Sequence, residues 1–247
     1  MGKTKIRAVF SDLGNVVLRF CPRNERLWQL AQLANPGRFG QPGTLSLCSL
    51  ERAAFNASLQ QSEILDFSRP GEDAAWRMDV GQVSHGEFYR AFLAAVGCSE
   101  GDFPPARFWM AYSADLVAVH PVANLLRQLQ HRGTKIIAAT NTEMWPTDLV
   151  WRQTGLRFDG EVYSWRVGHK KPRREFYEAC RATAREALSE PTLDYPACVL
   201  IDDIAANCDS IRRLGGHAIR FKASACPLTL AWQLQKLRQQ LSELKLL

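Results

Sequence analysis

The sequence predicts an α/β fold in which a parallel β-sheet is interrupted, after its first strand, by an all-helical insertion. Short apolar runs rich in β-branched residues recur along the chain, and amphipathic helical patterns lie between them. A long early stretch shows helical patterns without a convincing strand. The chain has 247 residues, which is enough for one or two domains with a sizeable core.

The expected strands are short apolar runs bounded by turn or polar residues. Four clear runs and a weaker fifth are Ile6–Phe10, Lys135–Ala139, Ala197–Ile201, Ala218–Phe221 and Glu161–Tyr163. The spacing of apolar residues predicts helices over Val122–His131, Glu175–Ala187, Ala205–Leu214 and within Leu228–Leu247. Strands that alternate with helices are typical of a parallel sheet, which gathers ligands at the carboxyl ends of its strands.

The stretch from about Phe20 to Leu116 does not follow this alternation. It has the pattern of helices separated by loops that contain glycine and proline. We therefore expect two domains. Residues 1–19 and 117–247 form the sheet-containing core, and residues 20–116 form a small helical domain.

Composition and charge exclude several classes of protein. Hydrophobic residues make up 46% and charged residues 23% of the chain, which rules out wholesale disorder, a collagen-like repeat and a coiled coil. Lysine and arginine number 31 against 25 acidic residues, a net charge of +6. The basic residues show no aromatic interleaving and no nucleic-acid-binding motif, so we expect no nucleic-acid partner.

Cysteine usage and the amino terminus predict a cytoplasmic protein. The seven cysteines are spread along the chain without a C-x-x-C pair or a histidine at zinc-ligand spacing, as in a reduced protein. The amino terminus lacks the long apolar core of a signal peptide. No apolar run approaches the roughly 20 residues of a membrane span, so we expect no membrane partner.

Polar residues with useful chemistry follow the expected strands. Asp12 comes directly after the first strand, and an aspartate held there can act as nucleophile and metal ligand. Thr140 and Asn141 end the second strand and carry groups suited to phosphate oxygens. Later, Lys171 precedes Pro172, and the strand Ala197–Ile201 runs into Asp202 and Asp203. Carboxylates that converge at one sheet edge suit Mg²⁺.

This ordered set resembles the haloacid dehalogenase (HAD) superfamily, a Rossmann-like fold made up largely of phosphatases. The four motifs match at Asp12, Thr140, Lys171 and Asp202-Asp203, and the insertion looks like the family's helical cap domain. The stretch from Asp12 to Val16 has the form D-x-G-N-V. It is similar to a branch of bacterial sugar-phosphatases that act on glucose 1-phosphate.

The resemblance implies a role for each matched residue. Asp12 would attack phosphorus to form an aspartyl-phosphate. Mg²⁺ would be held by Asp12, the main-chain carbonyl of Gly14 and Asp203, with Asp202 in or next to its shell. The charge on the transferring oxygens would be stabilised by Thr140, Asn141 and Lys171. The substrate would be a small phosphomonoester, and the D-x-G-N-V branch points to a sugar phosphate.

The sequence departs from the family pattern at Gly14, where most phosphatases of the superfamily carry an acid/base aspartate. Such a group contributes roughly 10²–10⁴-fold to rate. The enzyme would then rely on water or a substrate hydroxyl, be slow, or be an inactive member that binds a ligand or partner. A haloacid dehalogenase, which also lacks this aspartate, is a further alternative. His169, beside Lys170, is a less favoured substitute base, since a loop histidine is more often exposed.

Overall fold

The structure is a computed structural model that describes residues 5–19, 23–41, 49–61, 64, 73–142 and 146–247. Its internal contacts separate two units, Met1–Arg19 with Val117–Leu247 and Phe20–Leu116. The strands are β1 (Ala8–Ser11), β2 (Leu18–Arg19), β3 (Val117–Ala118), β4 (Lys135–Thr140), β5 (Gly160–Tyr163), β6 (Cys198–Asp202) and β7 (His217–Arg220). The helices are α1 (Arg23–Ala34), α2 (Pro36–Phe39), α3 (Ser49–Gln61), α4 (Ala74–Asp79), α5 (His85–Val96), α6 (Pro105–Ser113), α7 (His120–His131), α8 (Pro146–Thr154), α9 (Ser164–Val167), α10 (Arg174–Leu188), α11 (Ala205–Arg213) and α12 (Pro227–Glu243).

The first unit is built on a five-stranded sheet in the order β5-β4-β1-β6-β7. All four pairings are parallel, and β1 lies at the centre, where Phe10 aligns with Ile137 of β4 and Leu200 of β6. Because the strands are parallel, their carboxyl ends share one edge of the sheet. This confirms the predicted α/β class.

Helices cover both faces of the sheet, which explains why the strands are almost continuously apolar. Successive side chains of a strand point to opposite faces. On one face Val9 packs in a core with residues of α7 and α12, such as Leu126 and Leu237. On the other face Phe10 packs in a second core with residues of α10 and α11, such as Tyr177. These two cores fix the strand register and therefore the positions of the strand ends.

Each of the five expected sheet strands is present, with bounds that differ by up to two residues. Ile6 precedes β1 yet is only 4% exposed, and Arg7 beside it donates its N–H to the carbonyl of Ala197 at 2.8 Å. The apolar pattern therefore begins before the regular ladder does. The short strands β2 and β3 and the helices α8 and α9 were not expected.

The second unit consists of helices α1 to α6, and its described residues contain no strand. Trp28, Phe39 and Phe55 form a cluster of edge-to-face ring contacts, with centroids 5.2–5.9 Å apart. Helix α5 begins with a capping box, in which Ser84 and Glu87 satisfy each other's main-chain N–H groups. Aromatic packing and helix capping thus stabilise the helices of this unit.

Two chemical properties belong to the described part of the chain as a whole. None of its helices is both long enough and apolar enough to pass through a membrane. Its cysteines are free thiols, namely Cys98, Cys180, Cys198, Cys208 and Cys226.

Candidate active site

Asp12 stands at the carboxyl end of the central strand. Its main-chain N–H donates to the carbonyl of Ile201 at 2.9 Å, so the residue continues the alignment of β1 with β6. The side chain turns back on its own loop, because Oδ1 accepts the N–H of Leu13 at 2.8 Å. Only 7% of the residue is exposed. The local backbone therefore fixes this carboxylate at the edge of the sheet.

Lys171 joins Asp12 to a second carboxylate. Its ammonium lies 2.9 Å from Asp12 Oδ1 and 2.7 Å from Asp202 Oδ2, and it donates to the carbonyl of Ala139 at 2.7 Å. An ammonium has three N–H bonds, so three oxygens engage all of its donors. The Lys171 side chain is only 1% exposed, so Lys171 is a buried cation that forms ion pairs with two buried carboxylates.

Asp202 and Asp203 bring the number of clustered carboxylates to three. Carboxylate oxygens of Asp12, Asp202 and Asp203 lie within 4.8 Å of one another. Asp202 Oδ1 accepts two hydrogen bonds at 2.9 Å each, from the N–H of Ile204 and from Asn207 Nδ2. Both oxygens of Asp202 are therefore occupied by protein donors, one by Lys171 and the other by α11 and the residue before it.

Asp203 is held differently, by the loop that follows Asp12. Asn15 Nδ2 donates to Asp203 Oδ2 at 3.2 Å. Asn15 has a φ of 54°, a left-handed conformation that asparagine tolerates better than most residues. Its carbonyl accepts the N–H of Ala223 at 2.6 Å, which ties this loop to the segment after β7. Gly14 lies between Asp12 and Asn15 in the same loop.

Burial dominates the electrostatics of the cluster. It raises the pKa of Asp12 to about 7, a shift that the Lys171 ammonium opposes and the carboxylates of Asp202 and Asp203 reinforce. Burial likewise raises the pKa of Asp203, against the hydrogen bond from Asn15. For Lys171, burial disfavours the charge, but Asp12 and Asp202 together raise its pKa above the ordinary value. The ammonium is thus held protonated, and a further cation would favour the ionised carboxylates.

Thr140 and Asn141 lie at the end of β4, beside the cluster. Thr140 is 3% exposed. The amide of Asn141 faces Lys171, because Oδ1 accepts the N–H of Lys171 at 2.8 Å and Nδ2 donates to its carbonyl at 3.0 Å. The structure thus brings Asn141 to the backbone of Lys171, a contact that the sequence did not predict.

Several contacts of the site were not predicted. Asn207 belongs to the stretch after Asp203 that carries the family resemblance, and it lies in the first turn of α11, where its amide bonds Asp202. The bond between Asn15 and Asp203 spans 188 positions, and no local sequence pattern indicates it. His169 lies half-buried in the loop after α9. The charged groups with the largest effects on the pKa of Asp12 are Lys171, Asp202 and Asp203.

Solved structures of known proteins share this fold. A HAD family enzyme of Bacteroides thetaiotaomicron, in complex with magnesium and inorganic phosphate, has a TM-score of 0.62 and 16% identity, covering 91% of this chain and 98% of its own. A HAD phosphatase of Thermococcus onnurineus has a TM-score of 0.59 and 17% identity, covering 96% and 98%. L-2-haloacid dehalogenase of Xanthobacter autotrophicus has a TM-score of 0.53 and 16% identity, covering 94% and 83%.

Sequence comparisons add nothing to this likeness, since no family model and no curated protein matches the chain. At 16–17% identity the structural similarity establishes the fold. The chain therefore has the HAD fold over nearly its whole length.

Proposed function

We propose that this protein is a Mg²⁺-dependent hydrolase of small phosphomonoesters that acts through Asp12. The observation that carries the proposal is the cluster of the buried Asp12, Asp202 and Lys171 with the half-buried Asp203 at the carboxyl edge of the sheet. One similarly folded enzyme, that of Bacteroides thetaiotaomicron, has been solved in complex with magnesium and inorganic phosphate. The cluster supplies a nucleophile, a cation and metal-type oxygen donors in one place.

The donor set fits Mg²⁺, which prefers carboxylate and carbonyl oxygens. Asp12 Oδ2 and Asp203 Oδ1 accept no hydrogen bond from the described residues, whereas both oxygens of Asp202 do. We therefore assign Asp12 and Asp203 as ligands, with Asp202 beside them, and the family resemblance adds the carbonyl of Gly14. A bound Mg²⁺ would offset the repulsion between the carboxylates and a phosphate dianion.

Asp12 is the residue that reacts. Its carboxylate oxygen forms a bond to phosphorus as the bond from phosphorus to the leaving oxygen breaks, which gives an aspartyl-phosphate and an alkoxide that takes up a proton. Water then attacks the phosphorus of this intermediate, which releases phosphate and restores Asp12. Lys171 keeps the carboxylate oriented, and we assign Thr140 to the phosphate oxygens.

Gly14 determines where the leaving group obtains its proton. Because this position carries no carboxylate, the proton comes from water or from a hydroxyl of the substrate. A hydroxyl next to the phosphate suits this role, which favours a sugar phosphate as the substrate. We assign residues 20–116 as a cap domain that selects among such substrates.

Gly14 also favours a second candidate function, a protein that binds a phosphorylated ligand or partner without turning it over. A general acid or base contributes roughly 10²–10⁴-fold to rate, so its loss could leave binding without useful catalysis. Dehalogenation has less support, because it needs no metal and would leave the third carboxylate of the cluster without a role.

Phosphate release tests the proposal. We expect turnover of p-nitrophenyl phosphate and of some members of a sugar-phosphate panel, dependent on Mg²⁺ and abolished in Asp12→Asn. Asp209→Asn is the matched control, since this carboxylate is 58% exposed on α11 and should leave turnover unchanged. Tight ligand binding without turnover would identify the binding protein, and metal-independent halide release from 2-haloacids would identify a dehalogenase.

A further inference from the structure

Asn141 makes contacts with the main chain of Lys171 that a purely phosphate-binding residue would not need. Its side-chain amide bonds both polar groups of the Lys171 main chain, accepting from the N–H at 2.8 Å and donating to the carbonyl at 3.0 Å. These two bonds link positions 30 residues apart. Asn141 therefore acts on Lys171 as a two-point clamp.

The end of β4 binds Lys171 both at its main chain and at its side-chain ammonium. Asn141 binds the main chain, while the carbonyl of Ala139, two residues earlier, accepts a hydrogen bond from the ammonium at 2.7 Å. The side chain thus runs between two points on the same strand end. A lysine stem has four flexible carbons, so the position of its ammonium depends on where the main chain starts.

The main chain of Lys171 needs such an anchor because it belongs to a loop. The loop follows the left-handed Gly168, and Lys171 precedes Pro172 before α10 begins at Arg174. Loops are generally more mobile than the elements that they connect. A misplacement of about 1 Å in a catalytic group can cost about 10²-fold in rate.

We propose that Asn141 is a positioning residue that aligns Asp12 through Lys171, rather than a residue that binds the substrate itself. This inference rests on the proposed hydrolase function. The amide of Asn141 fixes the Lys171 backbone, the backbone sets the ammonium, and the ammonium holds Asp12 Oδ1 at 2.9 Å. Contact with phosphate is left to Thr140, the residue between Ala139 and Asn141.

A double-mutant cycle with Lys171 separates the two roles. We expect Asn141→Ala to lower kcat/KM for p-nitrophenyl phosphate by about 10–100-fold, as removal of outer-shell partners does elsewhere. In a Lys171→Met background the same substitution should change kcat/KM by less than about threefold, because its effect passes through Lys171. Equal fold-losses in both backgrounds would overturn the proposal and identify Asn141 as a separate substrate contact.

Amide hydrogen exchange provides a readout that does not depend on turnover or on the folding of Lys171→Met. In Asn141→Ala the N–H of Lys171 loses its acceptor, so its exchange should accelerate. Gln130→Ala is the matched control, because this amide bonds the carbonyl of Arg157 at 2.8 Å near the opposite end of β4. It should leave Lys171 exchange and kcat/KM unchanged.

The outcomes distinguish this inference from the function on which it rests. Unchanged exchange at Lys171 in Asn141→Ala would overturn the clamp. A wild-type protein that releases no phosphate would overturn the proposed function, while the exchange result would still decide whether Asn141 holds Lys171.

Discussion

At the scale of single residues, three asparagines orient the charged groups of the site. Asn15 bonds Asp203, Asn207 bonds Asp202 and Asn141 bonds the backbone of Lys171. An amide is neutral, so it fixes a charged partner without changing the charge of the cluster. Three carboxylates against one ammonium leave an excess of two negative charges when all are ionised. A divalent cation would neutralise that excess.

Asn15 offers a test of the metal assignment. Because it bonds Asp203 Oδ2, its removal should leave Asp203 free to rotate and weaken Mg²⁺ binding. We choose Asn15→Gly, since glycine accepts the φ of 54° without strain. The Mg²⁺ concentration for half-maximal turnover should rise about 10–100-fold, with kcat largely recovered at saturating Mg²⁺. An unchanged Mg²⁺ requirement would contradict the assignment of Asp203, and the exposed Asn124→Ala serves as control.

The convergence of the charged residues could be predicted from the sequence, but their orientation could not. Asp12 and Asp202 follow apolar strands, and parallel strands bring such ends together. The amide contacts depend on side-chain geometry between positions 30 and 188 residues apart, which no local pattern encodes. The motif therefore predicts a phosphate contact for Asn141, whereas in the structure its amide bonds the main chain of Lys171.

At the scale of elements, the site depends on β1 lying between β4 and β6. Three adjacent strand ends then deliver Asp12, the Ala139 carbonyl and Asp202 to the ammonium of Lys171. Continuous apolar runs of about five residues made these strands predictable. The two-residue strands β2 and β3 are too short to show any period, so no sequence pattern predicts them.

The opposite end of the sheet is fixed by Asp159, which precedes β5. Its Oδ2 accepts the N–H of Ile136 and the amide of Gln130 at 2.9 Å each, and its Oδ1 lies 3.0 Å from Lys135 Nζ. Burial opposes the ionised form, but the hydrogen bonds from Ile136, Gln130 and Lys135 outweigh it and lower the pKa of Asp159. The carboxylate therefore links α7, β4 and β5.

Asp159→Asn should destabilise the protein in a pH-dependent way. A lowered native pKa contributes stability above the unfolded pKa of about 3.9, and this is lost as pH falls through the native pKa. Urea unfolding should show a loss of about 1–2 kcal/mol at pH 7 that shrinks below pH 4. Asp209→Asn, with its exposed ion pair, should cost less and change less with pH. A deficit that grows in acid would contradict this account.

At the scale of the whole molecule, the net charge of +6 is unevenly distributed along the chain. Much of the charge follows Ala205, in α11, β7, α12 and their connections, and only Asp209 and Glu243 oppose it there. Arg220 and Lys222 reach the edge of the cluster, since Arg220 donates to the carbonyl of Asp203 at 3.2 Å and the charge of Lys222 acts on the Asp203 carboxyl. The rest of this charge lies outside the cluster and can attract anionic substrates only diffusely. The local cation that matters for Asp12 is Lys171.

The division into units reflects how the chain leaves and re-enters the core. Strands β2 and β3 pair antiparallel, with Leu18 opposite Ala118 and Arg19 opposite Val117. The chain therefore leaves the first unit at Arg19 and returns to it at the neighbouring Val117. Within the second unit, Arg26 of α1 and Asp115 after α6 form a two-contact ion pair, at 3.1 Å and 3.4 Å.

Asp115→Asn should weaken this closure, the ion-paired contact between α1 and the segment after α6, without disturbing the core of the first unit. The side chains of Arg26 and Asp115 are 10% and 20% exposed, so water can only partly solvate the Arg26 guanidinium once its charged partner is gone. We expect the free energy of unfolding to fall by about 1–3 kcal/mol. Amide exchange should accelerate in α1 and α6 and stay unchanged in β1, β4 and β6, because each unit has its own packed core. The exposed Asp209→Asn again provides the control. Equal acceleration in both units would show that they open together, and no acceleration in either would show that the ion pair contributes nothing to the closure.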